Sequence, residues 1–109
     1  MHFEIYFPDA VPDIKLSNEQ RRNLYLVTRE ALNNAMKHSE ATCIQLKLEI
    51  QKKTCCFSVT DNGKGINEKV NKPGSNGLRN MNKRMEDIEG SIEWLSLERG
   101  TIVKYCLAV

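Results

Sequence analysis

Residues 42–66 read TCIQLKLEIQKKTCCFSVTDNGKGI, and this stretch decides the fold. Ile44, Leu46, Leu48 and Ile50 alternate with Gln45, Lys47 and Glu49, the period of a strand with one buried and one wet face. After a QKK turn the pattern returns with Cys55, Phe57 and Val59 inward, which predicts an antiparallel hairpin. The alternation stops at Asp61, and from there to Gly77 the chain holds four glycines, four asparagines and a proline. So polar a segment does not pack, and its length marks a functional loop.

On the N-terminal side, Ser17 and Gln20 form a capping box for a helix running to about His38, whose apolar stripe is Leu24, Thr28, Ala31, Leu32 and Ala35. Before it, Phe3, Ile5 and Phe7 alternate with Glu4 and Tyr6, as in a half-buried strand ended by Pro8. Beyond the loop, Leu78, Met81, Met85 and Ile88 mark a second amphipathic helix, with Gly90 placed to stop it. SIEWLS and TIVKYCL, joined around LERG, close the chain as a strand pair. This order predicts one domain over residues 1–109, an α+β two-layer sandwich. A mixed, mostly antiparallel sheet carries the helices on one face. Its other face is expected to be wet or covered by something outside this chain.

Composition narrows the function. The 16 basic and 14 acidic residues are interspersed and give a net charge of +2, without the basic block that grips a phosphate backbone, so nucleic acid is not expected as a partner. No apolar run is long enough to span a bilayer, and no membrane contact is expected. Cys43, Cys55, Cys56 and Cys106 lack C-x-x-C spacing, which argues against zinc, and are read as buried thiols in a reducing, cytoplasmic compartment.

Three constellations carry chemistry. On the first helix, Glu30 and Asn34 stand one turn apart at the edge of the apolar stripe, with Lys37 and His38 following. Two such oxygen ligands suit magnesium, which takes one or two protein oxygens and leaves its other positions to water and phosphate. After the hairpin, TDNGKGI sets Asp61 at a strand end, with Gly63 and Gly65 permitting close approach of a ligand. An ionised carboxylate accepts but does not donate, so it selects an amine over a carbonyl and adenine over guanine. In PGSNGLRNM, Gly74 and Gly77 precede the second helix, whose free N–H groups can receive a phosphate. Taken singly, each is an ordinary helix edge or glycine-rich turn.

Taken together, EALNN, DNGKGI, NGL and GTIV resemble the GHKL ATP-binding (Bergerat) fold over nearly the whole chain. REALNNAMKHSEA and the short segment between Ile66 and Gly77 are most similar to the catalytic domain of bacterial two-component sensor histidine kinases. Within these, the resemblance is to the subfamily paired with helix-turn-helix response regulators. It implies ATP and magnesium as cofactors, with Asn34 on the metal and Glu30 as its acidic, catalytic partner. Lys37 and His38 would lie near phosphate, and Asp61 on the adenine amine. Gly63, Gly65, Ile66, Gly77, Leu78 and Thr101 would complete the ATP site, Thr101 by supporting the base near Asp61. Ser75, Asn80 and Glu89 stand where the family often has glycine.

The resemblance further implies transfer of the ATP γ-phosphoryl to a histidine on a separate dimerisation domain, and hence indirectly to a response regulator. His2 and His38 are the only histidines here and neither belongs to a long dimerising helix, so the chain is expected to be a fragment of a larger kinase. Alone it would be a monomer that binds ATP with little turnover, while its parent could be membrane-anchored. The alternatives are a nucleotide-sensing module without phosphoryl transfer and an anti-sigma-factor serine kinase of the same superfamily.

Overall fold

The structure, a computed structural model, describes residues 2–9, 14–38, 40–63 and 76–108, except for the side chains of residues 38, 76 and 77. Strand β1 (His2–Tyr6) leads to helix α1 (Asn18–His38), the hairpin β2 (Cys43–Gln51) and β3 (Thr54–Asp61), helix α2 (Asn76–Asp87), and a second hairpin, β4 (Ser91–Ser96) and β5 (Thr101–Ala108). The sheet order is β1-β2-β3-β5-β4, with β1 parallel to β2 and every other pair antiparallel. This is the mixed sheet with helices on one face that the sequence predicts.

Local chemistry sets the helix ends. The Ser17 hydroxyl oxygen accepts from the Gln20 N–H at 3.0 Å and the Gln20 side-chain oxygen accepts from the Ser17 N–H at 2.9 Å, the reciprocal pairing of a capping box. At the end of α2 the Gly90 N–H reaches the Met85 carbonyl at 2.7 Å and the Glu89 N–H the Glu86 carbonyl at 3.0 Å, a Schellman closure. Its left-handed residue is Glu89, at φ 58°, and Gly90, the expected stop, supplies the N–H that closes the turn. Gly90 is held to glycine by space, since a Cβ there would meet the Cys106 carbonyl oxygen at 2.7 Å. Glu89→Gly should therefore raise stability by about 1 kcal/mol, because glycine adopts positive φ without the Cβ penalty. A shift in urea midpoint at unchanged slope would report it.

The core lies between the helices and the central strands. Leu24, Val27, Ala31 and Ala35 of α1 pack with Ile44, Val59, Val103 and Tyr105 of the sheet and with Met81 and Met85 of α2. Val27, absent from the expected stripe, has no exposed surface, whereas Thr28 and Leu32 are half-buried. The Thr28 and Tyr105 hydroxyls hydrogen-bond to each other and tie α1 to β5. Tyr105 is stacked on Phe57, and burial pushes its phenol up to about 12.

Two expectations need correction. Phe3 and Ile5 fall in register with Ile44 and Leu46, yet they are 44% and 52% exposed, as is Phe7 at 60%. Helix α1 packs on β3 and α2 on β4, whereas β1 is the sheet edge opposite β4. Of the four cysteines read as buried thiols, only Cys55 is one; Cys43 is half-buried, and Cys56 is disulfide-bonded to Cys106. The reason is register, which sets these two directly opposite each other on β3 and β5. Among the described residues no helix is long and apolar enough to cross a membrane.

Candidate functional site

Asp61 ends β3, and by alternation with Val59, Phe57 and Cys55 it points to the helix-covered face. It is a buried charge-bearing group, 7% exposed. Burial pushes its carboxyl above the usual carboxylate range, while the backbone N–H groups of Gly63 and Thr101 pull it back by hydrogen-bonding the ionised form. The Gly63 contact is 2.9 Å. Thr101, the register partner of Asp61, is itself buried at 8% exposed.

Asn62, which the sequence does not single out, extends the β2–β3 ladder with its side chain. Its Oδ1 accepts from the Thr42 and Cys43 N–H groups at 2.9 and 3.0 Å, and its Nδ2 donates to the Thr42 hydroxyl at 2.9 Å. The segment leaving α1 and the end of β3 are thereby fixed to each other. Asn62→Ala is expected to cost about 1 kcal/mol in denaturant titration, since the freed groups are exposed enough for water to replace part of the loss. Asn62→Asp, which keeps both acceptor contacts, should cost less.

Gly100 is the second residue that the sequence leaves unmarked, although it opens the quoted GTIV. It sits at φ 105°, and a Cβ would fall 1.7 Å from the Asp61 carbonyl oxygen. The β4–β5 turn therefore rests directly on the backbone of Asp61 and Asn62. The third is Asn23, 2% exposed, whose Nδ2 donates to the Arg84 carbonyl at 2.8 Å and fastens α1 to the last turn of α2.

Along α1, Glu30 and Asn34 are half-buried and Lys37 is exposed. A cavity of about 150 Å³ opens between the helices, lined by Leu26, Arg29, Glu30, Asn33, Asn80, Met81 and Arg84. It gathers Glu30 with Asn33, which the sequence passes over, and not with Asn34. Asp61 borders a second cavity of about 160 Å³ with Cys43, Gln45, Thr60, Asn62, Leu97 and Arg99. Neither cavity joins Asp61 to Asn34. Gly77 lies in the first turn of α2 and Leu78 is half-buried. Gly65 and Ile66 lie outside the described residues, as does the side chain of His38.

The chain belongs to the histidine kinase-, DNA gyrase B- and HSP90-like ATPase family, whose model matches residues 19–109. Among its relatives, the sensor histidine kinase LiaS of Bacillus subtilis is 33% identical over 95 residues, which is 86% of this chain and 26% of LiaS. DegS of the same organism, a signal transduction histidine-protein kinase/phosphatase, is 36% identical over 83 residues, 73% of this chain and 22% of DegS. The chain thus spans about a quarter of the length of these relatives. In fold it is similar to the histidine kinase domain of the Erythrobacter litoralis EL346 blue-light activated kinase. The TM-score is 0.83 at 19% identity, covering 98% of this chain and 51% of that one. The catalytic domain of histidine kinase ThkA aligns with a TM-score of 0.75 at 22% identity, covering 98% of this chain and 77% of that one. The family and fold expected from the sequence are both borne out.

Proposed function

We propose that this domain binds ATP with magnesium and is the catalytic part of a larger sensor kinase, passing the γ-phosphoryl to a histidine on a separate dimerisation domain. The observation that carries the reading is Asp61, a buried carboxyl at a strand end: burial raises its pKa, while the Gly63 and Thr101 N–H groups oppose that shift by hydrogen-bonding the ionised, purely accepting form. Such a group reads the adenine amine. Thr101 supports it from the neighbouring strand, and Gly63 forms the near wall.

The donor set on α1 fits magnesium, because a half-buried carboxylate and an amide oxygen one turn apart match an ion that takes few protein ligands. When bound, the ion neutralises charge on the phosphates. Asn34 would hold it directly and Glu30 through water, leaving Glu30 also free to orient the incoming imidazole. Neutral imidazole already has the lone pair that attacks, so no strong base is required. Lys37 and His38 follow toward the phosphates, and the N–H groups at the start of α2, with Gly77, suit a phosphate oxygen. Positioning and charge neutralisation are what phosphoryl transfer asks of a protein. The parent kinase, cytoplasmic at this domain, would pass the group on to a response regulator.

Mixing the domain with the dimerisation helices of its parent and γ-labelled ATP tests the reading. The expected result is acid-labile phosphohistidine on the helices, lost in Asn34→Ala. An acid-stable product would mean a serine kinase, and ATP binding with no transfer would mean a sensing module.

A further inference from the structure

Two sulfurs meet on the side of the sheet opposite α1 and α2. Cys56 and Cys106 are register partners with Cα atoms 4.1 Å apart, close to the spacing of a non-hydrogen-bonded antiparallel pair, whose side chains approach most closely. Alternation places both on the face that no described helix covers, in one row with Glu49 of β2 and Ser91 of β4, both exposed. The cysteines are half-buried and so within reach of a small solute.

The other pairings are closed within the chain. Cys55, adjacent to Cys56, points through the sheet into the core and is 4% exposed. Cys43 begins β2, six residues from the Glu49 that faces Cys56, or roughly 20 Å along a strand. The sheet ladder that brings Cys56 and Cys106 together does not depend on the sulfur–sulfur bond. The eight β3–β5 register pairs hold positions 56 and 106 opposite each other by backbone pairing alone.

We infer that Cys56 and Cys106 are a reversible redox modification site whose co-reactant is a low-molecular-weight disulfide. One cysteine thiolate attacks the small disulfide, forms a mixed disulfide and releases one small thiol. The second cysteine attacks the protein sulfur of that adduct and releases the other. The two cysteine protons leave with the two small thiols, and the two electrons lost by the cysteines reduce the small disulfide. The link ties together the strands that, five residues along each (56 to 61 and 106 to 101), carry Asp61 and Thr101. The site does not rest on the kinase reading, because it needs only the sheet.

The test is reduction of the folded chain with dithiothreitol, removal of the reductant and incubation with oxidised glutathione, then acid quenching, denaturation, thiol counting and peptide mass mapping. Two of the four thiols should be lost, the linked peptides should carry Cys56 and Cys106, no glutathione should remain, and dithiothreitol should restore all four. A Cys43→Ser/Cys55→Ser double variant should behave alike, whereas Cys56→Ser or Cys106→Ser should trap a glutathione adduct on the remaining partner. Oxidised wild type should melt several degrees above reduced, with no such difference in either single variant. Four persisting thiols, a link through Cys43, Cys55 or a second chain, a stable adduct on wild type, or a loss that dithiothreitol leaves in place would each overturn the inference.

Discussion

Asp61→Asn should leave the domain folded and weaken ATP binding on the order of 100-fold, the cost of leaving polar groups unpaired in a site built to satisfy them. The carboxylate offers oxygens to the Gly63 and Thr101 N–H groups and, in the proposed site, would still accept from an adenine amine. Asparagine has one oxygen and a donating NH2, so one of those three donors must face another donor. In a thermal shift assay, wild type at a hundred times its dissociation constant gains about 2.7 kcal/mol from ATP, and the variant at that concentration should gain far less. Its preference for ATP over GTP should fall as well. Equal ATP affinity in the two proteins would remove Asp61 from the site.

The same substitution isolates a pH effect. Burial raises the folded pKa of Asp61 above its unfolded value, so the folded state holds that proton more tightly. Its contribution to stability is then fullest below the unfolded pKa and is lost as pH rises through the folded pKa. ATP affinity should run the opposite way across that window, climbing as the carboxylate ionises. Subtracting the Asp61→Asn stability curve from the wild-type curve should leave a falling step, and a rising step would contradict the assignment.

Gly100→Ala should be the most damaging single change, on the order of 3–5 kcal/mol, a large share of the 5–15 kcal/mol that holds a domain of this kind together. A methyl group there would meet the Asp61 carbonyl oxygen at 1.7 Å and the Asn62 Cα at 2.9 Å. Both obstacles are backbone, and φ 105° is itself closed to alanine. The turn must lift off the end of β3, so ATP binding should fall with stability. Urea titration measures the loss. A change under about 1 kcal/mol would show that the turn relaxes freely and does not brace Asp61.

What the sequence disclosed and what it withheld divide by range. The β2–β3 hairpin, the Ser17–Gln20 box and most of the α1 stripe are written in neighbouring residues, and each is legible. So is Asp61, because a carboxylate where alternation stops is a local signal. Asn62 and Gly100 act through residues about 20 and 40 positions away, and nothing near them in the chain announces it. The Cys56–Cys106 pair needed the β3–β5 register, which no local pattern fixes. Phe3 and Ile5 have the right alternation, but only the sheet order reveals that β1 is an edge. Gly90 is legible as the stop of α2, whereas the left-handed Glu89 beside it carries no local signal of its own. Thr101 entered through family resemblance alone, its place beside Asp61 being a matter of strand order.

The Thr28–Tyr105 hydroxyl pair has a mechanical meaning. It lies inside the contact between α1 and β5, and because the Thr28 hydroxyl keeps its bond to the Leu24 carbonyl of its own helix, a one-turn slide would unpair the buried Tyr105 hydroxyl, at about 1–3 kcal/mol. Asn23, five residues earlier on the same helix, pins it to α2. α1 is therefore geared to the sheet and cannot act as a piston. A push on α1 would carry Glu30, Asn34 and Asp61 together as one body.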